Sequence, residues 1–298
     1  MSDSLKPNKS PFSKRPTPQG VGDFSHKAEI TNVYPLTATE KLYQIQIIDP
    51  GARHDFIFRP GQFVMLEVPG IGEAPFSISS SPSRLGNIEL CIRAAGTLTN
   101  FLGRLERGVM VGISGPLGTC FPVEEMVGED VILLAGGLGI VPLRSPIMSI
   151  LENRSRYGRV DVMYGARRPA ELLFGYQHAE WRQFDIGLEV IVDQGEADWP
   201  GPVGLITELL GKRLAQGDRA RFANATNAIV CGPPVMFKFV CDMLLAAGLP
   251  MEKIFVSLER RMHCGRGKCC RCNIGSTYTC LDGPVFDYWS VLNLKEAI

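Results

Sequence analysis

Five cysteines crowd the stretch from Cys264 to Cys280, and four of them follow the spacing Cys264-x4-Cys269-x2-Cys272-x7-Cys280, with Cys270 as the fifth. A four-residue gap followed by a two-residue gap is the opening spacing of one class of loop that wraps a two-iron, two-sulfide (2Fe–2S) cluster. The reason is geometric: the cluster is compact, so a single tight loop aims several thiolates inward. Gly265 and Gly267 are expected to let the backbone approach the inorganic sulfides without a Cβ in the way. Lys268 and Arg271 offer positive charge against four thiolates, or are simply solvated. A structural zinc site is the alternative, but zinc sites usually present their cysteines as two short pairs. This spacing does not divide that way. Metal ligands expected on this reading are Cys264, Cys269, Cys272 and Cys280.

The wider composition narrows the field. Nine cysteines, an odd number, behind an N-terminus without an apolar signal-like core argue for a metal centre in a reducing cytoplasm rather than for a disulfide framework. Basic and acidic residues balance at 31 each, which gives no sign of nucleic-acid binding. The longest apolar run, Val131 to Leu143, holds three glycines and a proline. It is much shorter than the roughly 20 residues a membrane helix needs, so no membrane span is expected. Residues 1–25, rich in Pro, Ser and Lys, are expected to form a mobile arm.

Two patterns then divide the chain. From residue 26 to 125, short apolar runs at Phe63–Val68, Phe76–Ser80, Ile88–Arg93 and Met110–Ile113 are separated by Gly and Pro clusters. Tyr43, Ile45 and Ile47 alternate with Gln44 and Gln46. This predicts a small antiparallel β-barrel. From 126 to 247, apolar strands at Val131–Ala135, Val160–Tyr164, Leu188–Val192 and Ala228–Cys231 alternate with helix-length segments near Val141–Asn153, Gly204–Leu214 and Val235–Leu245. That alternation predicts a doubly wound parallel α/β sheet. Residues 248–298 follow neither pattern and hold the cysteine loop.

The second region carries two turns of interest. Gly136-Gly137-Leu138-Gly139-Ile140-Val141-Pro142 follows an apolar strand and opens a helix. Glycines there admit a pyrophosphate to the free N–H groups of the helix start, although the same residues also serve an ordinary tight turn. Cys231-Gly232-Pro233-Pro234 ends the last strand of the same region. Ligands of open parallel sheets collect at such strand ends. Cys231 taken alone reads as a buried core thiol.

Together these segments resemble the ferredoxin–NADP reductase superfamily, in which a flavin barrel precedes a nicotinamide domain. The chain is most similar there to members with a C-terminal 2Fe–2S loop: the FAD/NAD(P)-binding gamma subunits of cytosolic nickel–iron hydrogenases and sulfhydrogenases, and the electron-transfer subunit of dihydroorotate dehydrogenase. Pro60-Gly61-Gln62-Phe63 looks like the strand leading to the flavin site. Ala74-Pro75-Phe76-Ser77-Ile78-Ser79-Ser80 looks like the motif whose aromatic packs on the flavin and whose Ser lies near its reactive nitrogen. Arg93-Ala94-Ala95-Gly96-Thr97-Leu98-Thr99 resembles the loop that holds the FAD pyrophosphate, and Gly115-Pro116-Leu117-Gly118 the segment that closes the barrel. Gly136 to Pro142, Tyr164-Gly165-Ala166-Arg167 and Cys231-Gly232-Pro233 correspond to nicotinamide-site loops. Ser257 to Met262, the cysteines and Cys280 to Phe286 match the hydrogenase-type branch.

The resemblance implies FAD, NAD(P) and a 2Fe–2S cluster as cofactors, with Ser77 and Cys231 as catalytic positions. Hydride would pass from NAD(P)H to flavin, and single electrons from flavin to the cluster or back. Asp193, after the strand that reads the adenosine ribose, favours NAD, while Arg167 and Arg168 favour a 2′-phosphate. One departure stands out: the Arg that usually opens the flavin motif is Ala74 here. The absent charge-assisted bond is worth about 1.5–3 kcal/mol, unless Arg93 or backbone N–H groups replace it. No domain for a terminal substrate is visible. Catalytic partner subunits with iron–sulfur centres, of the hydrogenase or heterodisulfide reductase kind, are therefore expected, docking at the cysteine loop. The alternatives are a redox-sensing protein on the same fold and a zinc-stapled interaction module.

Overall fold

The computed structural model of the protein describes residues 25–216, 218–292 and 294. The expected N-terminal arm, apart from Ser25, lies outside the described residues.

Strands β1 (His26–Pro35), β2 (Glu40–Ile47), β3 (Phe63–Val68), β4 (Gly72–Ser77), β5 (Asn87–Arg93) and β6 (Met110–Leu117) form one antiparallel sheet in the order β4-β3-β6-β1-β2-β5. Alternation explains the pairing. In β2, Leu42, Tyr43, Ile45 and Ile47 are buried, and Ile45 sits opposite Ile88 of β5. The two edges meet where the Ser79 N–H donates to the Glu89 carbonyl at 2.9 Å, which rolls the sheet into the expected barrel. Strand β1 escaped the sequence reading because its register shifts between Ile30 and Asn32, and this bulge breaks the period-2 signal. Strand β4 starts upstream of the expected run, at Gly72.

The second sheet runs β14-β11-β10-β7-β8-β9, from β7 (Asp130–Gly136), β8 (Val160–Ala166), β9 (Gly187–Val192), β10 (Thr226–Cys231), β11 (Ile254–Ser257) and β14 (Val285–Asp287). Strands β11-β10-β7-β8-β9 are parallel, as expected for a near-continuous apolar sheet between helices. Strand β14 is antiparallel to β11, so the sheet is mixed. The helices Ile140–Glu152, Ile206–Ala215 and Pro234–Ala246 lie near the expected segments. Gly175–Gln183 was not foreseen, because it buries little beyond Gln177 and Trp181.

The last fifty residues do not stand apart from these sheets. Strands β11 and β14 come from them and complete the second sheet, while the hairpin β12 (Asn273–Ile274) and β13 (Thr277–Tyr278) lies within the cysteine loop. Their shortness hid them from a period-based reading. No helix among the described residues is long and apolar enough to cross a membrane.

Candidate functional site

Three parts of the chain meet around one cleft of about 260 Å³. Pro75, Phe76 and Ser77 at the end of β4, with Cys91, Ile92 and Arg93 of β5, form the barrel wall. Leu138, Val141 and Pro142 bring the glycine loop to the opposite side. Ser257 to Arg260, Met262 and Pro284 close it from the C-terminal segment.

The flavin motif divides at this wall. Pro75, Phe76 and Ser77 face the cleft. Ile78 is 1% exposed in the barrel core, and the Ser79 hydroxyl donates to the Glu89 carbonyl at 2.9 Å, so neither side chain lines the cleft. Ala74 sits in the β3–β4 ladder opposite Leu66. Arg93, the candidate substitute cation, is ion-paired with buried Glu40. Burial raises the Glu40 carboxyl, but hydrogen bonds from Thr37, Arg93 and Thr39 outweigh it and hold the group below its usual range. In the next loop Thr99 Oγ1 accepts from the N–H groups of Ala95 (2.9 Å) and Gly96 (2.8 Å). This fixes the turn that opens the helix Thr97–Leu102, with Leu98 packed on the barrel core. A Cβ on Gly96 would meet nothing within 4 Å, so the turn is open to a bound group.

The glycines of the second sheet have two different jobs. A Cβ on Gly139 would fall 2.1 Å from the Cys231 carbonyl oxygen, and one on Gly136 or Gly232 would strike Met236. These three let the two strand-end loops pack on each other. Gly137, with φ of +55° and nothing within 4 Å of a Cβ, is the position that faces open space. Gly139→Ala is therefore expected to force the loops apart, costing about 1–3 kcal/mol and weakening NADH affinity in the same variant. Thermal unfolding and NADH titration check both.

Cys231 is 2% exposed, behind the cleft rather than on its wall. Burial drives its thiol well above the usual range, and the nearby Glu259 carboxylate adds to this against a hydrogen bond with Ser257. Tyr164 is fully buried and its hydroxyl accepts from the Leu173 N–H at 3.1 Å, so its side chain belongs to the core. Ile140 is likewise buried, and Gly165 lies against Ile206. Arg167 and Asp193 are exposed on neighbouring strand ends, where the Asp193 N–H donates to the Ala166 carbonyl and the Gln194 N–H to that of Arg167.

Sequence reading missed a buried ion pair between the helix after the glycine loop and the barrel. Arg144, 3% exposed on the helix after the glycine loop, donates to Glu89 Oε2 at 2.6 Å and to the Ser79 carbonyl at 2.9 Å. Its Nε donates to Gln177 Oε1 at 2.7 Å, and its guanidinium stacks 4.8 Å from the Phe174 ring centroid. A lone charge inside the apolar run Ile140–Ile150 was the available signal.

The cysteines come as two pairs. Cys272 and Cys280, each 1% exposed, have sulfurs 3.3 Å apart, and the Gly267 N–H donates to Cys280 Sγ at 3.1 Å. Cys264 Sγ accepts from the N–H groups of Arg266 (3.4 Å), Lys268 (3.3 Å) and Cys269. Burial raises the Cys264 thiol, yet these donors bring it down to about 7. Backbone donors aimed at sulfur suit thiolate ligands. Among the described residues no three Cys, His, Asp or Glu side chains form a group that could hold a single metal ion. Gly265 and Gly267, both at positive φ, meet protein: a Cβ would strike Met65 and Leu117 in the first case and Leu281 in the second. The loop is thereby seated on the barrel. Thr119 strengthens this, its N–H donating to the Gly283 carbonyl and its hydroxyl to that of Val285, both at 2.7 Å. Phe63 packs with Cys272 and Cys280 and Met262 against them, and both also line the cleft.

Comparison with known proteins gives matches across this architecture. Residues 29–121 match the oxidoreductase FAD-binding domain, 133–242 the oxidoreductase NAD-binding domain, and 259–292 the iron–sulfur cluster binding domain of dihydroorotate dehydrogenase B. The chain is 40% identical over 275 residues to sulfhydrogenase 1 subunit gamma of Pyrococcus furiosus, covering 90% of this chain and 92% of the relative. It is 34% identical to a probable dihydroorotate dehydrogenase B (NAD(+)) electron transfer subunit of Methanocaldococcus jannaschii, covering 78% and 80%. A solved chain of an NADH-dependent reduced ferredoxin–NADP oxidoreductase shares the fold, with a TM-score of 0.68 at 23% identity over 89% of this chain and 91% of that one.

Proposed function

The chain belongs to the family of FAD- and NAD-binding iron–sulfur electron-transfer subunits that includes the sulfhydrogenase gamma and dihydroorotate dehydrogenase B subunits, and we propose that it moves electrons between NAD(P)(H), FAD and a 2Fe–2S cluster, to or from a catalytic partner subunit. The observation that carries this reading is the shared wall: Phe63 and Met262 border both the cleft and the buried cysteine pair. Electron exchange between the two places needs only a short path.

A bound flavin takes two electrons as hydride and releases them singly, which nicotinamide does not do readily. The chain's own residues supply position and environment. Phe76 and Pro75 give the flavin ring an apolar wall, and Ser77 sets a hydroxyl beside it. The open turn at Gly96 and Thr97 receives the FAD pyrophosphate, with Thr99 holding its shape. Arg93, drawn toward Glu40, only partly replaces the cation missing at Ala74. Gly137 marks where the nucleotide pyrophosphate approaches, while Gly136, Gly139, Gly232 and Pro233 hold the loops together. Cys231 supports this packing as a neutral thiol. Asp193 favours an unmodified ribose and hence NAD, with Arg167 beside it. In this scheme residues 26–125 bind FAD, 126–247 bind NAD(P) and 248–298 carry the cluster.

Cys264 with Cys269, and Cys272 with Cys280, supply two thiolates to each iron of a 2Fe–2S cluster. These are pairs in space and not the two short sequence pairs typical of zinc, and two separate sulfur pairs suit two irons better than one ion that draws four ligands toward a single point. Such thiolate chemistry fits the reducing cytoplasm. The partner subunit, of the hydrogenase or heterodisulfide reductase kind, carries the terminal reaction.

Ser77→Ala tests the cleft assignment. Loss of one hydrogen-bonding group beside the reacting ring is expected to slow NADH-driven flavin bleaching about 10- to 1000-fold in stopped flow, with NADH affinity changed less than about threefold. An unchanged bleaching rate would place the reacting ring elsewhere.

A further inference from the structure

Arg144 makes three directed hydrogen bonds where an ion pair needs one. Its Nη1 donates to Glu89 Oε2 at 2.6 Å and to the Ser79 carbonyl at 2.9 Å, while its Nε donates to Gln177 Oε1 at 2.7 Å. All four residues are buried. One side chain thus ties the helix Ile140–Glu152 to the barrel and to the helix Gly175–Gln183. Resting on the electron-transfer reading above, we infer that Arg144 is a positioning residue for hydride transfer, which fixes the nucleotide loop against the flavin wall.

Its place in the chain puts it next to both walls of the cleft. Val141 lines the cleft three residues before Arg144, so the two stand on one face of the helix. Cys91 follows Glu89 by two residues in β5, again on one face, and also lines the cleft. Ser77, a third lining residue, is two residues from Ser79. Cys91, Val141 and Phe174 share one core cluster, and the Arg144 guanidinium lies 4.8 Å from the Phe174 ring centroid.

The acceptor on the barrel is itself held. Glu89 Oε1 takes hydrogen bonds from Gln44 Nε2 at 2.9 Å and from Arg84 Nη1 at 3.3 Å, and its carbonyl accepts from both the N–H and the hydroxyl of Ser79 at 2.9 Å. Further along the same helix the Ser83 hydroxyl donates to Glu152 Oε1 at 2.8 Å, but that contact is exposed, so the buried cluster sets the geometry. Stability alone gives no reason for a charge here, since an apolar pair of similar volume often holds two elements as well or better. What the guanidinium adds is direction: a planar fork accepts only one arrangement of its partners.

Hydride transfer is the step that needs such direction. NADH, FAD and one proton from solvent become NAD⁺ and FADH₂, as a C–H bond of the nicotinamide breaks and an N–H bond forms on the flavin. A misplacement of about 1 Å costs such a step about 100-fold. Binding of the adenosine and pyrophosphate parts of the nucleotide does not depend on it.

The test uses the full chain with its cofactors bound. Arg144→Lys keeps a cation for Glu89, but one ammonium on a flexible stem does not serve Glu89, Ser79 and Gln177 together. At saturating NADH, flavin bleaching in stopped flow is expected to slow about 10- to 100-fold. The long-wavelength charge-transfer absorbance of NAD⁺ over reduced flavin is expected to fall at least about threefold, because it needs the two rings aligned. Flavin content and the Kd of ADP-ribose, which carries no nicotinamide ring, are expected to stay within about threefold. A purely structural Arg144 would instead lower thermal stability and ADP-ribose affinity and leave the bleaching rate and the absorbance band alone. That outcome, or a bleaching rate within about twofold of wild type, would overturn the inference. If Arg144→Lys loses its flavin, Glu89→Gln decides: its amide oxygen still accepts from Arg144 but more weakly, and bleaching is expected to slow about 3- to 10-fold with ADP-ribose affinity retained. An unchanged rate in Glu89→Gln would then overturn the inference. A wild-type protein whose bound flavin is not bleached by NADH would overturn the electron-transfer reading instead.

Discussion

Cys272→Ser abolishes electron delivery to a one-electron protein acceptor, with a loss of at least about 100-fold, while NADH-driven reduction of a neutral quinone stays within about twofold. Cys272 is 1% exposed with its sulfur 3.3 Å from Cys280, and the pair packs with Phe63, Met65 and Leu117. A serine there offers a poorer, harder ligand in a site whose second thiolate is fixed. Ser77 and Leu138 line the cleft with Phe63 and Met262, whereas Cys272 and Cys280 do not, so the proposed hydride exchange there is expected to be independent of the pair. Iron content, measured alongside, is expected to fall with the acceptor rate. Equal loss of quinone and protein reduction, with flavin still bound, would contradict this order of electron transfer.

The second large effect concerns Arg144. Its guanidinium joins the helix after the glycine loop to Glu89 of the barrel, and to the Ser79 carbonyl within the Ala74–Ser80 segment. Both partners are almost fully buried, so Arg144→Met leaves the Glu89 carboxylate in a poorly solvated site with only the half-exposed Arg84, 3.3 Å away, as a cation. Breaking a buried pair from one side costs about 3–5 kcal/mol, measured by denaturant unfolding. Glu89→Gln/Arg144→Met removes both charges and is expected to recover part of that loss. The pH dependence follows from Glu89. Burial alone would raise its carboxyl, but the Arg144 charge and hydrogen bonds from Arg144 and Gln44 hold it below the ordinary 4.5. A carboxyl depressed in the folded state contributes stability above its unfolded pKa, and loses it as pH falls through the folded value. The wild type is thus expected to weaken below about pH 4.5 more steeply than the double variant. Parallel acid profiles would deny Glu89 this role.

What the sequence showed depended on the range of each signal. Alternation in β2 and apolar runs in β7, β8 and β10 are local, and both sheets were legible from them. The bulge in β1 and the brevity of β11 and β14 left too few residues for a period to register. Motif glycines were visible, but their jobs were not. Gly139 and Gly232 answer to loops far apart in the chain, and only Gly137 and Gly96 turn out to face open space. Gly265 and Gly267, read as making room for sulfides, make room for Met65, Leu117 and Leu281. The Glu89–Arg144 pair spans 55 residues and two sheets, so no spacing rule could reveal it. The cysteine spacing was legible because its four members lie in one loop.

The most direct test of the central claim is the anaerobic visible spectrum of the purified protein, with flavin, iron and sulfide assays, before and after NADH. The account predicts flavin and cluster bands at about one FAD and two irons per chain, all bleaching on addition of NADH. A protein that holds zinc, or that keeps flavin and iron unbleached by NADH, would contradict it.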